Sequence, residues 1–173
     1  MASSLYDISV ASFLQILRGV AGTLDKGMKH CQDTGQDPGE ILAARLHDDM
    51  LPFTFQLWAV VHQSAGAIAG LQSGEFRPPA ALPDLDYAGY QGLINDTIAE
   101  LESLSADDIN ALAGGTVIFK MGGNEIPFTT ENFVLSFAVP NLIFHATTAY
   151  DMLRQRNVPL GKIDFLGSMR IGT

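Results

Sequence analysis

The sequence predicts an all-α protein, a bundle of four helical segments with a small β-hairpin inserted between the third and the fourth. Three observations carry this. Apolar residues recur at three- and four-residue steps through most of the chain. That period changes to alternation over a single short stretch, Thr116 to Thr129. Clusters of proline and glycine punctuate the chain between the periodic runs.

The first segment, Ser3 to His30, places Leu5, Ile8, Phe13, Leu17, Val20 and Leu24 on one face, although Gly19, Gly22 and Gly27 weaken it as a helix. A turn over Gln32 to Gly39 leads to Asp37-Pro38, a favourable helix start because proline fits the first turn. The second segment is expected from Pro38 to Leu71, kinked or broken at Pro52. Ser73 to Pro83, with Gly74, Pro78, Pro79 and Pro83, reads as a loop. The third segment, Asp84 to Leu104, turns Tyr87, Tyr90, Leu93 or Ile94, Ile98 and Leu101 inward, and its acidic start suits the helix dipole. Ser105 to Asp108 looks like the cap of a short turn. In the hairpin, Gly122-Gly123-Asn124 makes the turn and Pro127 confines the second strand to an edge. The fourth segment, Glu131 to Arg156, is capped by Thr130 and bent by Pro140, and the tail after Asn157 is a loop. No internal repeat or low-complexity tract interrupts residues 1–173, which are expected to form one domain.

Composition narrows the function. The chain is 47% hydrophobic and 17% charged, which argues for a packed core and against disorder. Its net charge is −9, with no cluster of Lys and Arg, so nucleic acid and anionic membrane surfaces are not expected partners. Cys31 is the only cysteine, which excludes an internal disulfide and a thiolate metal cage. No basic residue precedes Arg18, so a secretory signal is not expected, and the longest apolar run, Phe133 to Leu153, is interrupted by Asn141, His145 and Asp151. The expected location is cytoplasmic.

Two polar stripes stand out against apolar helices. On the second segment Arg45, Asp49, Gln56 and Gln63 fall within roughly 40° of one another on a helical wheel, flanked by Leu42, Leu46, Phe53, Leu57 and Val60 on one side and Leu51, Phe55 and Ala59 on the other. Such a stripe lines a pocket in the bundle interior, or it faces solvent with Arg45 and Asp49 as an i,i+4 pair. On the fourth segment the stripe is Asn141, His145, Thr148 and Met152. Asn141 and His145 have the spacing of an HxxxH metal pair, with asparagine, a poor zinc ligand, in the first place. The alternative for His145 is a core histidine satisfied by carbonyls that Pro140 frees. Any metal would need His145 together with His47 or His62, neither of which has a histidine partner at helical spacing. The glycine pairs at 114–115 and 122–123 do not precede a phosphate-binding helix. No nucleophile elbow is present, and Asp48-Asp49 and Asp107-Asp108 read as surface and cap carboxylates.

Ala44-Arg45-Leu46, Asp49-Met50, Pro52 and Gln56, followed by Pro140-Asn141, Phe144-His145, Thr148-Ala149-Tyr150, Leu153-Arg154 and Gly161-Lys162-Ile163-Asp164-Phe165-Leu166-Gly167, resemble an uncharacterised bacterial and fungal family. That family lies within the DinB/YfiT-like superfamily of four-helix bundles, and the resemblance runs from Leu5 to Gly167. It implies an up-down bundle, often dimeric, with any site between the helices. Members of the wider superfamily hold a divalent metal with three histidines and transfer or isomerise small molecules, often with a thiol co-substrate. Here His145 matches the second histidine of the pair, Asn141 replaces the first, and Asp49 or Gln56 stands where the segment-two histidine would be.

The reading that follows is a small-molecule-binding, cofactor-free bundle protein of isomerase or lyase type. His145 moves a proton, Arg45 holds an anionic or enolate oxygen and Asp49 orients one of them, while Gln56, Asn141, Tyr150 and Lys162 contact the ligand. The alternatives are a metal-dependent thiol transferase of the DinB type and a non-catalytic homodimeric binding module whose polar stripes fix helix register.

Overall fold

The computed structural model describes residues 3–79 and 81–172. Met1, Ala2 and Thr173 of the expected domain 1–173, and Ala80 of the expected loop 73–83, lie outside the described residues.

Ser4 and Asp7 close a reciprocal cap on α1 (Leu5–Ile8), the Ser4 side chain accepting from Asp7 N and the Asp7 carboxylate from Ser4 N. The chain then enters the long α2 (Val10–Thr34), which ends where Gly35 takes the left-handed conformation at φ 76°. Asp37 caps α3 (Pro38–Leu42). This helix is short: the segment expected from Pro38 to Leu71, kinked or broken at Pro52, is broken, and the break already begins after Leu42. Residues 43–52 form a compact loop instead, closed by Phe53 N donating to the Ala44 carbonyl at 2.8 Å and Met50 N to that of His47 at 3.0 Å. Pro52, which has no N–H to give and pushes the residue before it out of the helical region, keeps the end of this loop from joining the next helix. Pro52 is itself extended (φ −67°, ψ 171°) and opens α4 (Phe53–Val61).

A single π-turn, His62–Gly66, joins α4 to α5 (Ala67–Ser73). Part of the stretch expected as loop is a strand: β1 (Glu75–Phe76) pairs parallel with β2 (Thr116–Met121). Asp86 caps α6 (Tyr87–Glu102), and α7 (Ala106–Asn110) follows as one short turn. β2 and β3 (Asn124–Thr129) form the expected antiparallel hairpin in a sheet of order β1-β2-β3. Pro127, opposite Ile118, lies on the edge strand, where a missing N–H costs nothing.

Thr129, not Thr130, caps α8 (Thr130–Phe133). The bend expected at Pro140 is a second π-turn, Val134–Ala138, immediately before α9 (Val139–Gln155). A short α10 (Lys162–Leu166) lies within the expected C-terminal loop and packs on α2, where the Phe165 carbonyl sits so close to Gly19 that a Cβ there would be 2.4 Å away.

The fold is thus mostly helical with a small three-stranded sheet. α2 packs against α6 and α9, and α4 against α9 and α6, around Phe13, Leu17, Leu24, Phe53, Leu57, Ile94, Leu101 and Leu142. Beneath the sheet Phe76, Phe119, Phe128, Phe133 and Phe137 form an aromatic cluster with ring centroids 4.8–6.2 Å apart. By length and composition Thr130–Gln155 is one helical stretch that could cross a membrane, yet its inward face supplies Phe133, Val134, Ala138, Leu142, Ala146 and Met152 to this core.

Candidate functional site

The two polar stripes meet at one point. His145 on α9 and Gln56 on α4 join through Nδ1 and Oε1 at 2.8 Å, and the Gln56 amide nitrogen donates to the Leu51 carbonyl at 3.0 Å. A carbonyl only accepts, so the second bond fixes which end of the amide faces which neighbour. Oε1 must then face the imidazole, so Nδ1 carries the proton and Nε2 carries the lone pair. Gln56 is buried, which holds this arrangement away from competing water.

Burial lowers the pKa of His145 from its ordinary value. Gln56 contributes no negative charge to offset that, as a carboxylate partner would. The ring is half-buried with two aromatic neighbours, Phe55 at 5.8 Å and Phe144 at 5.2 Å, both near edge-on. One turn back, Asn141 spends an amide hydrogen on the Phe137 carbonyl of the second π-turn at 2.8 Å, leaving Oδ1 as an acceptor. The centre is therefore an imidazole whose Nε2 shows no hydrogen-bond partner among the described residues, with two aromatic rings against it and an amide one helical turn away.

The other expected site residues lie elsewhere. Arg45 and Asp49 do not share a helical face with Gln56, because the helix stops at Leu42. Arg45 is exposed on the loop, its Nη1 donating to the Met50 carbonyl at 2.5 Å. Asp49 is 84% exposed and pairs with His47 at 2.6 Å, not with Arg45. Tyr150 packs edge-on against Phe165 of α10 at 5.9 Å, and Lys162 is exposed at the start of that helix. Gln63 is buried in the first π-turn with no hydrogen-bond partner for Oε1 among the described residues. Thr148 returns its hydroxyl to the Phe144 carbonyl and Met152 is core.

Among the described residues no three His, Cys, Asp or Glu side chains come together as a metal site. His47 is on the loop, and His62 is bonded through Nε2 to the Arg77 carbonyl at 2.8 Å. One imidazole with two amides does not fit a three-histidine centre, and no step below passes through a metal. The sequence reading missed the Leu51 carbonyl and the paired walls of Phe55 and Phe144. An aromatic residue next to the one histidine of an uncharged run was the available signal.

The mostly helical scaffold with its small three-stranded sheet is DinB-like, as a solved structure shows. A DinB family member protein from Shewanella denitrificans is similar over 98% of this chain and 95% of its own, with a TM-score of 0.81 and 27% identity. The chain belongs to the family described as Domain of unknown function (DUF1993), whose model matches residues 5–166. No curated protein matches it.

Proposed function

We propose that the chain is an up-and-down four-helix-bundle protein of the cytoplasm that binds a small molecule beside His145 and moves a proton on it without a cofactor. The observation that carries this reading is the bond from Gln56 Oε1 to His145 Nδ1, locked at its other end by the Leu51 carbonyl. A proton acceptor gains from a fixed tautomer because its lone pair is always on the same nitrogen, and no hydrogen bond to Nε2 of His145 is seen among the described residues.

The reaction class is removal of a proton next to a carbonyl and its return at another carbon, an isomerisation. The C–H electron pair enters the enolate, and the proton resides on Nε2 until it is given back. In this reading the second amide hydrogen of Asn141, one turn from His145 on the same helix, would meet the enolate oxygen. Burial that keeps His145 neutral at physiological pH keeps it competent as a base.

The test is deuterium uptake at the α-carbon of cyclohexanone in D2O, followed by proton NMR. Wild-type protein should accelerate exchange and His145→Phe should not. Equal rates for the two proteins overturn the proton-transfer role.

A second reading is a homodimeric binding module. It is favoured by the outer face of the fourth helical run, where Leu135, Ile143 and Phe144 are exposed within the uncharged stretch 132–150. Light scattering measures it: twice the monomer mass, reduced to one by Ile143→Glu, supports that module, and a monomer at every concentration removes it. The metal-dependent transferase remains the least supported, since the donors around His145 are amides.

A further inference from the structure

The chemistry of the ligand can be read from what surrounds the free nitrogen. With Nδ1–H committed to Gln56, Nε2 can only accept, so whatever binds there has to bring a hydrogen-bond donor. The walls are the rings of Phe55 and Phe144, with the exposed side chain of Leu51 following from the residue whose carbonyl holds Gln56. Both favour a flat apolar body over a branched or charged one.

Charge points the same way. Residues 132–150 contain no Asp, Glu, Lys or Arg, and the chain as a whole carries −9. The nearest cation by connectivity is Arg45, which reaches the site only through Met50, Leu51 and Gln56. An anionic ligand would meet an acceptor nitrogen in place of a donor, on an acidic protein. A carboxylate or phosphate is poorly matched to that surface.

We infer that the His145 site takes a neutral, planar, apolar molecule bearing one acidic hydroxyl, a phenol or an enol, whose O–H donates to Nε2 between Phe55 and Phe144. The inference rests on the proton-acceptor reading above and deepens it. A phenol or enol O–H offers Nε2 a proton in place of the C–H proton that the proposed isomerisation removes, so such a molecule reports on the same acceptor. The single donor gives orientation, and the aromatic walls give most of the affinity.

The probes are 4-fluorophenol, 4-fluorotoluene and 4-fluorobenzoate, titrated separately into wild-type protein, His145→Phe and Arg45→Ala and followed by fluorine NMR. In parallel, long-range proton–nitrogen correlation spectra of 15N-labelled protein report which ring nitrogen of His145 carries the proton. The expected results are an Nδ1–H tautomer and saturable binding of the phenol at least about tenfold tighter than of the toluene, one hydrogen bond's worth. That preference should vanish in His145→Phe, and Arg45→Ala serves only to test whether benzoate is held by that guanidinium.

An Nε2–H tautomer in the free protein removes the proton-acceptor reading and this inference with it. The expected tautomer with benzoate bound in preference to phenol, and lost in Arg45→Ala, leaves the base in place and overturns only the ligand class. Equal binding of phenol and toluene overturns it too, since the donor then contributes nothing.

Discussion

Two half-buried histidines sit against the two π-turns of this molecule and spend their ring nitrogens in opposite ways. His62 opens the first π-turn and gives Nε2–H to the main-chain carbonyl of Arg77, tying the exit of β1 to the helix. Its ring lies over Phe76 at 4.6 Å, and its Nδ1 is walled by Gly66, where a Cβ would sit only 2.8 Å away. His145, one turn beyond the residue pair that follows the second π-turn, gives Nδ1–H to a side-chain amide and keeps Nε2. Burial lowers both pKa values, so titration behaviour alone does not separate a structural histidine from a working one. The separation comes from which nitrogen is spent and on what. Either acceptor fixes a tautomer, but the lone pair of His62 is left on Nδ1 against Gly66, while that of His145 is left on Nε2.

The largest expected effect lies on the structural side. Phe76 is 3% exposed and touches His62, Phe119, Phe133 and Phe137, so Phe76→Ala should cost about 3–5 kcal/mol in urea denaturation. Phe144 is 58% exposed, and Phe144→Ala should stay within about 1 kcal/mol while weakening any ligand at His145. A Phe144 cost as large as that of Phe76 would mean that the wall belongs to the core, and the contrast between the two centres would be lost.

Next comes the amide. Gln56→Leu strips the partner from His145 Nδ1 and from the Leu51 carbonyl, and should cost about 1–3 kcal/mol. Stability alone is not diagnostic here, so Gln56→Glu supplies the second readout. A carboxylate can still accept from Nδ1–H but also stabilises the imidazolium, and the pKa of His145, followed by NMR, should move upward. His62 should not respond in either variant.

A smaller effect appears with pH. For both histidines the folded-state pKa is depressed below the unfolded value of about 6.5. Between the two values the unfolded chain binds more protons than the folded one. Stability therefore rises with pH through that window, is complete above about 6.5, and is lost as pH falls through it. Asp7, Glu75, Glu131 and Asp164, whose pKa values are lowered, lose their contribution only in the carboxylate range below. Denaturation between pH 5 and pH 7.5 thus isolates the histidines. Replacing His62 and His145 together by Phe should flatten the curve there, and an unchanged slope would place the titrating group elsewhere.

The residues at the site were legible in the sequence to unequal degrees. Gln56, Asn141 and His145 were visible because helical spacing is local and both helices that carry them are regular at those points. Arg45 and Asp49 were misplaced for a local reason with a non-local outcome. Pro52 was read as a kink or a break at one point, but Phe53 N finds the Ala44 carbonyl nine residues back, and that bond makes a closed loop of the residues that carry Arg45 and Asp49. The two-residue strand Glu75–Phe76 has no periodicity to display and exists only through β2, more than forty residues later. The hairpin was legible because its partner strands are adjacent, and the π-turns were not, because one extra residue in a helix leaves the apolar pattern almost intact.

Arg45 gives the smallest effect and the finest test. Its guanidinium holds the Met50 carbonyl, and the next carbonyl, Leu51, holds Gln56, so the loop reaches His145 through two consecutive peptide groups. Because Arg45 is exposed, Arg45→Ala should cost no more than about 1 kcal/mol. If the loop positions Gln56, the substitution should nonetheless broaden or split the His145 ring resonances as the amide loses its fixed polarity, with His62 unaffected. If Arg45 instead holds a ligand oxygen directly, the free-protein spectrum should stay as it is and only the exchange rate on a carbonyl substrate should fall. The two outcomes differ in whether ligand is needed to see them, which makes one resonance of one ring enough to tell a loop clasp from a binding residue.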